Sequence, residues 1–203
     1  MRKVTCMCEN SFEADLPEEI DLDAEPGRLA EILEGSFFKV NCPSCGASLK
    51  PELRVRLVSR KRGMDLTVLP ELDRITLYRG KAELPKSSQA IVGYAELYER
   101  ARVLEDALDP DVVEILKYWL LAKAAESAAE ADLSIAYAGS EGGKLRFHLG
   151  GLKEGEVAVL PVGRELYDKA LADKARTLRT EPFDKMFSGP YRSIRALEAL
   201  EEE

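Results

Sequence analysis

Histidine is almost missing from this sequence. His148 is the only one among 203 residues, and it alternates with apolar neighbours on a predicted strand, which places it with Arg146 on the opposite, solvent-facing side. No Ser-His-Asp arrangement is detectable, the acidic residues are dispersed, and the glycine-rich residues 139–143 match no phosphate-binding motif. We therefore favour a protein without catalytic activity. An enzyme with its site within residues 90–180 is the least favoured of the functions considered.

Long apolar runs are also missing. No uninterrupted run reaches the length that a membrane span needs. The first residues, Met1-Arg2-Lys3, are followed by cysteines and acids rather than by the apolar core of a signal peptide. The sequence therefore predicts a cytoplasmic protein without membrane association, in which thiols stay reduced and free to bind metal.

Positive charge is in deficit. The chain has 29 Lys and Arg residues against 37 Asp and Glu, a formal net charge of −8, and a pI near 5.0. Nucleic-acid-binding proteins usually carry a basic balance or a basic face, so nucleic acid is a poor candidate partner. A hydrophobic content of 45% and a charged content of 33% are typical of a soluble globular protein, and the length suggests one large or two small domains.

Cysteine is present in four copies, and these form two close pairs, Cys6-x-Cys8 and Cys42-x-x-Cys45. Thiolates are soft ligands that suit zinc, and four of them leave no coordination position for water. The second pair has the usual ligand spacing, whereas the first is one residue shorter. Gly46 can adopt the left-handed conformation just past the last cysteine. The sequence predicts one structural Zn²⁺ site with all four cysteines as ligands.

Three other interpretations of the cysteines remain open. Two disulfides are possible, but a bridge within Cys6-x-Cys8 would be strained. A redox-active Cys-x-x-Cys normally lies at a helix N-terminus, and Gly46 and Pro51 after Cys45 argue against a helix there. Iron could occupy the same four thiolates in place of zinc.

Two regions follow from the hydrophobic periodicity, and together they predict an α+β fold. Residues 1–80 predict an N-terminal zinc-ribbon-like antiparallel β module with an inserted helix. Its strands are expected near residues 2–16, 36–41, 53–57 and 64–69, with further β character at Ile75, Leu77 and Ile91, and its helix runs from about Pro26 to Gly35. Residues 81–203 predict a helical and β-meander region. Its elements are helices over 94–108, from Asp109-Pro110 toward 131 and over 164–176, a three-stranded meander over 132–161, and an acidic tail over 197–203.

The cysteine motifs resemble those of the CpXC family of bacterial proteins. Cys42-Pro43-Ser44-Cys45-Gly46 matches the family's second motif, whereas in the first motif Met7 replaces the usual proline and Glu9 the usual glycine. The stretch over residues 98–117 is also similar, so the resemblance covers about residues 1–122. It implies a zinc-ribbon-like module, to which the first helices up to about 122 could belong, in a family without an assigned activity.

The densest basic stretch supports the alternative function of a regulatory, nucleic-acid-associated zinc ribbon. Its candidate contact residues, for nucleic acid or for a protein partner, are Arg54, Arg56, Arg60, Lys61 and Arg62. Few aromatic residues lie among these bases, so stacking on nucleobases has little support, and a solvated sheet face with a hairpin turn is the favoured interpretation.

The helix that carries Trp119 is more apolar than a surface helix needs. It could provide a homodimer interface, but we favour a role in the core under the meander. Because the predicted metal site is closed and the surface is acidic, the favoured function is a zinc-binding, non-enzymatic interaction or adaptor protein whose partners are other proteins.

Overall fold

The computed structural model describes residues 1–128 and 131–198. The predicted α+β class is confirmed, and the chain forms two compact units, Met1–Tyr98 and Glu99–Glu203. The first unit extends beyond residue 80 because a strand over Gln89–Val92 completes its sheet. The division into a module of residues 1–80 and a region of residues 81–203 stays a prediction, because it concerns which parts of the chain fold independently. Among the described residues, no helix is both long and apolar enough to cross a membrane.

The first unit contains eight strands and two short helices, and a third helix begins within it. In chain order these elements are β1 (Arg2–Thr5), β2 (Ser11–Ala14), β3 (Glu19–Asp21), α1 (Gly27–Glu34), β4 (Val40–Asn41), β5 (Ser48–Leu49), β6 (Val55–Ser59), β7 (Met64–Leu69), a 3₁₀ turn (Glu71–Asp73), α2 (Arg74–Tyr78), β8 (Gln89–Val92) and α3 (Gly93–Glu105). Two two-stranded ladders, β1–β2 and β4–β5, stand apart from a four-stranded sheet in the order β3-β6-β7-β8.

The four-stranded sheet is mixed rather than antiparallel throughout. The central hairpin β6–β7 is antiparallel, but the outer strands β3 and β8 pair in parallel with their neighbours. Parallel pairing requires a long crossover connection. The chain provides one between β3 and β6 through α1 and the second cysteine pair, and another between β7 and β8 through α2. Buried Ile20, Leu57 and Leu66 from three of these strands contribute to the core.

Two predicted strands of this unit differ from the structure. The strand expected over residues 36–41 is reduced to β4, because Phe38 has a positive φ of 57° that interrupts extended backbone. Phe37 and Phe38 are instead buried and stacked, with ring centroids 4.2 Å apart. The β character assigned to Ile75 and Leu77 was wrong, because these residues lie in α2, where Leu77 is buried and Ile75 is exposed.

The second unit matches its predicted elements closely. It contains the rest of α3, then α4 (Pro110–Ala125), β9 (Ser134–Glu141), β10 (Lys144–Gly150), β11 (Val157–Gly163), α5 (Arg164–Thr177), α6 (Phe183–Met186) and a 3₁₀ turn (Ile194–Leu197). The three strands form the predicted antiparallel meander, in the order β11-β10-β9. Asp109 caps α4 by accepting hydrogen bonds from the backbone N–H groups of Asp111 and Val112. Most of the predicted acidic tail lies outside the described residues.

Helix α4 packs under the meander, as predicted for the core interpretation. Val112, Val113 and Leu116 form one buried cluster with Tyr137 and Phe147 of the sheet. Trp119 lies at the margin of this packing: it is 36% exposed, and its ring meets that of Phe183 edge-on at 6.4 Å. Whether its exposed part forms a dimer interface stays a prediction.

The second unit also contains a buried ionic cluster. The Lys117 ammonium lies 3.0 Å from the Glu99 carboxylate and 2.8 Å from that of Glu114, and the lysine side chain is 4% exposed. Backbone N–H groups of Tyr137 and Ile194 donate to the same two carboxylates. Burial raises the pKa of Glu99. Burial alone would lower the pKa of Lys117, but its attraction to both carboxylates outweighs this effect and raises it.

Candidate metal centre

Two tight turns present the four cysteines, and we call them knuckle 1 (residues 6–10) and knuckle 2 (residues 42–47). Knuckle 1 connects β1 to β2, and knuckle 2 connects β4 to β5. Each knuckle is closed by a backbone hydrogen bond from its first cysteine: the Cys6 N–H donates to the Asn10 carbonyl at 2.9 Å, and the Cys42 N–H donates to the Ala47 carbonyl at 2.8 Å. The equivalent turns place two pairs of sulfurs opposite each other.

Each knuckle also has a left-handed residue immediately after its second cysteine. Gly46 has φ 74°, as its sequence position predicted, and Glu9 has φ 66°. Glycine adopts this conformation without steric cost, whereas glutamate does not. The Glu9 N–H donates to the Cys6 carbonyl at 2.9 Å, and the Gly46 N–H donates to the Cys42 carbonyl at the same distance. The turn therefore imposes on Glu9 a backbone conformation that glutamate does not favour.

The four sulfur atoms form a compact cluster. They all lie within 4.8 Å of one another, and the pairs Cys6–Cys45 and Cys8–Cys42 are each separated by 3.7 Å. A Zn–S bond of about 2.3 Å places the sulfurs of a tetrahedral site about 3.8 Å apart. A disulfide would need about 2.05 Å, and all four thiols are free. The donor set and its spacing therefore fit a tetrathiolate metal ion.

Hydrogen bonds polarise the cluster unequally. The backbone N–H of Cys45 donates to the sulfur of Cys42 and, with smaller contributions from Ser44, Cys8 and Asn10, lowers the pKa of Cys42 to about 6. The backbone N–H of Ala47 lowers the pKa of Cys45, but the neighbouring sulfurs together outweigh it and raise that pKa to about 12. A bound cation would displace any thiol protons, because metal binding requires thiolates.

Comparison with known proteins gives one family match that includes both knuckles. The profile of a family described as CpXC protein matches residues 4–117, which include both knuckles and extend into α4. This chain belongs to the CpXC family. An uncharacterized protein of Treponema pallidum (strain Nichols) is 26% identical over 96% of this chain and 97% of its own length. No solved structure matches the chain. The predicted family is confirmed, and neither match carries an assigned activity.

Asn10 is a residue of the candidate metal centre that the sequence analysis did not identify. Its side-chain Nδ2 donates to the Cys42 sulfur at 3.7 Å, while its carbonyl closes knuckle 1. An amide donor at a thiolate would offset part of its negative charge and orient it as a ligand if a metal were bound. Its position two residues after Cys8 was the available signal, because that residue completes the turn.

The basic stretch does not form one free cationic face. Arg56 is engaged by Asp65 and Glu19, each at 2.8 Å, and the hydrogen bonds to Asp65 dominate in raising its pKa. Arg54 donates to the Glu83 carbonyl. The remaining three candidates, Arg60, Lys61 and Arg62, are exposed in the turn between β6 and β7. The structure therefore leaves a short basic turn instead of a basic strand face.

His148 lies where the sequence predicted. It is exposed on β10, while Leu145, Phe147 and Leu149 of the same strand are buried. The structure places it in the second unit, whereas the cysteines lie in the first.

Proposed function

We propose that this CpXC protein binds one Zn²⁺ through Cys6, Cys8, Cys42 and Cys45, and that the ion is structural. The observation that carries the proposal is the pair of 3.7 Å sulfur separations across the two knuckles. Four thiolates fill a tetrahedral coordination sphere, so the ion has no open position at which to activate water or substrate. Its contribution would be to hold two short ladders together.

We further propose that the protein acts in the bacterial cytoplasm as a non-enzymatic interaction or adaptor protein. A closed metal site supports this role, because it provides folding energy without chemistry. The reducing cytoplasm would keep the four thiols available for metal. Protein partners are favoured over nucleic acid, because the net charge is −8 and Arg56 of the basic stretch is already paired with Asp65.

Metal analysis of untagged protein by plasma mass spectrometry tests the metal site. We expect about one zinc per chain after dialysis. The Met7→Ala variant is a matched control. Met7 lies between two of the ligands and is fully exposed, so its replacement should leave the metal content unchanged. Iron bound at one ion per chain would support the four cysteine ligands but contradict zinc as the metal. Less than about a tenth of an equivalent of any metal, with four freely titratable thiols, would contradict the proposal.

Nucleic-acid association is the second candidate, and the exposed turn at Arg60, Lys61 and Arg62 is the observation that favours it. Electrophoretic mobility shift at low and at moderate salt separates the two functions. A contact through this turn would weaken as salt rises and would be lost when the three residues are changed to glutamine. Affinity capture from the source organism, with that triple variant as control, would then test whether protein partners use the same turn.

A further inference from the structure

Each knuckle contains one buried and one exposed cysteine. Cys6 and Cys42, the first cysteine of each knuckle, are buried, whereas Cys8 and Cys45, the second of each, are exposed. The 3.7 Å pairs each combine one exposed sulfur with one buried sulfur of the opposite knuckle. Each accessible thiolate therefore has a protected thiolate from the other ladder next to it.

We propose that Cys8 and Cys45 are oxidation sites, and that a peroxide converts the metal centre into cross-knuckle disulfides, Cys8–Cys42 or Cys6–Cys45, with loss of the metal. This inference rests on the proposed metal site. The exposed cysteine of each pair reacts with the peroxide first, and the buried cysteine then attacks the oxidised sulfur and forms the disulfide.

The chemistry balances with hydrogen peroxide as the oxidant. The Cys8 thiolate attacks one peroxide oxygen, the O–O bond breaks, and the departing hydroxide takes a proton to give water and a sulfenic acid. The Cys42 thiolate then attacks the sulfenic sulfur, forming the S–S bond and displacing a second hydroxide, which is also protonated. Two thiolates lose two electrons in total, and the peroxide is reduced to two waters. The metal loses two of its four ligands.

Geometry favours the cross-knuckle pairs over a bridge within knuckle 1. A 3.7 Å sulfur pair needs to close by less than about 2 Å to reach bonding distance. A bridge within Cys6-x-Cys8 would strain the turn that the Cys6 N–H closes. The Cys42 sulfur also accepts a hydrogen bond from the Asn10 amide, and this bond makes it a weaker nucleophile toward peroxide than the exposed sulfur of Cys8 opposite.

Peptide mapping reads out the pairing directly, because trypsin separates the two cysteine pairs. Residues 4–28 carry the first pair and residues 40–54 carry the second, since the proline at position 51 blocks cleavage after Lys50. A cross-knuckle disulfide therefore joins two peptides, whereas a bridge within a knuckle leaves them separate. Zinc-loaded protein is treated with hydrogen peroxide, free thiols are alkylated, and released metal is measured with a colorimetric chelator in the same sample.

We expect about one metal ion released for each chain in which the two peptides are joined, with the linkage at Cys8–Cys42 or Cys6–Cys45. With limiting alkylating agent and no peroxide, Cys8 and Cys45 should be modified before the buried pair. Met7 is fully exposed and can itself oxidise, so the Met7→Leu variant is the matched control and should release the same amount of metal.

Three results would overturn this inference while leaving the metal site intact: metal retained after peroxide treatment, metal lost with bridges only within the knuckles, or metal release that disappears in Met7→Leu. Protein that contains no metal before treatment would instead contradict the proposed function itself. The initial metal content therefore distinguishes the two failures.

Discussion

Replacing Cys45 with alanine should unfold much of the first unit while the second unit persists. The cysteine pairs are carried on two ladders that are short: β1–β2 has four residue pairs and β4–β5 has two. Two-stranded hairpins are at best marginally stable alone in water. A metal ion shared by both ladders would therefore supply much of what keeps knuckle 1 and knuckle 2 together.

The expected magnitude follows from the number of ligands. Structural zinc binding contributes about 10–16 kcal/mol in small zinc-finger peptides. If the four sulfurs contribute equally, the loss of one costs about 2.5–4 kcal/mol, which weakens zinc affinity by about 10²–10³-fold. A domain has only about 5–15 kcal/mol of net stability, so this loss is close to the whole stability of a unit at the lower end of that range, where the short ladders place the first unit.

Limited proteolysis with Trp119 fluorescence measures the two units separately. Trp119 is the only tryptophan and lies in the second unit, so its emission should be nearly unchanged in Cys45→Ala. Protease should cut the variant early at sites before about residue 80 and leave a C-terminal fragment. The Met7→Ala variant should behave like the wild-type protein, because that side chain is fully exposed.

Two results would refute this reasoning. If Cys45→Ala resists protease along its whole length, the cysteine cluster does not hold the first unit together. If fluorescence and proteolysis show both units unfolding at once, the chain is one cooperative domain.

The remaining predictions concern a turn, a buried charge and the surface. Glu9→Gly should stabilise the first unit by up to about 1 kcal/mol in urea denaturation, because glycine adopts the left-handed conformation of this turn without steric cost. The control is Glu13→Gly in strand β2, which should destabilise the unit by roughly 0.5–1 kcal/mol. Lys117→Met should destabilise the second unit by about 3–5 kcal/mol, because it leaves two buried carboxylates without their cation. Urea denaturation monitored by Trp119 fluorescence measures this loss. Arg176→Met is the matched control and should cost less than about 1 kcal/mol, since that side chain is 79% exposed. Duplex DNA should bind more weakly than about 1 µM at physiological salt, and a tighter complex in a mobility-shift assay would favour the nucleic-acid function.

The elements that could be predicted from the sequence are those with strong local signals. The Asp109-Pro110 start and the apolar period after it specify α4, and the alternation around Phe147 specifies the meander. The cysteine cluster was predictable because short spacings between ligands leave few conformations for the turns that carry them.

The elements that escaped prediction depend on tertiary context. Strands of three or four residues, such as β3 and β8, have no local signal for the direction in which they pair. Ile75 and Leu77 alternate like strand residues, although tertiary packing makes their segment helical. The position of Asn10 in the turn is a local feature, but its contact with Cys42 joins residues 32 positions apart, so the partner sulfur could not be predicted from the local sequence.

X-ray absorption at the zinc edge of the purified, untagged protein tests the metal centre most directly. We expect a single shell of four sulfur ligands at about 2.3 Å, the distance that corresponds to the 3.7 Å sulfur separations of the two cross-knuckle pairs. A shell that contains nitrogen or oxygen ligands, or fewer than four sulfurs per zinc, would contradict it.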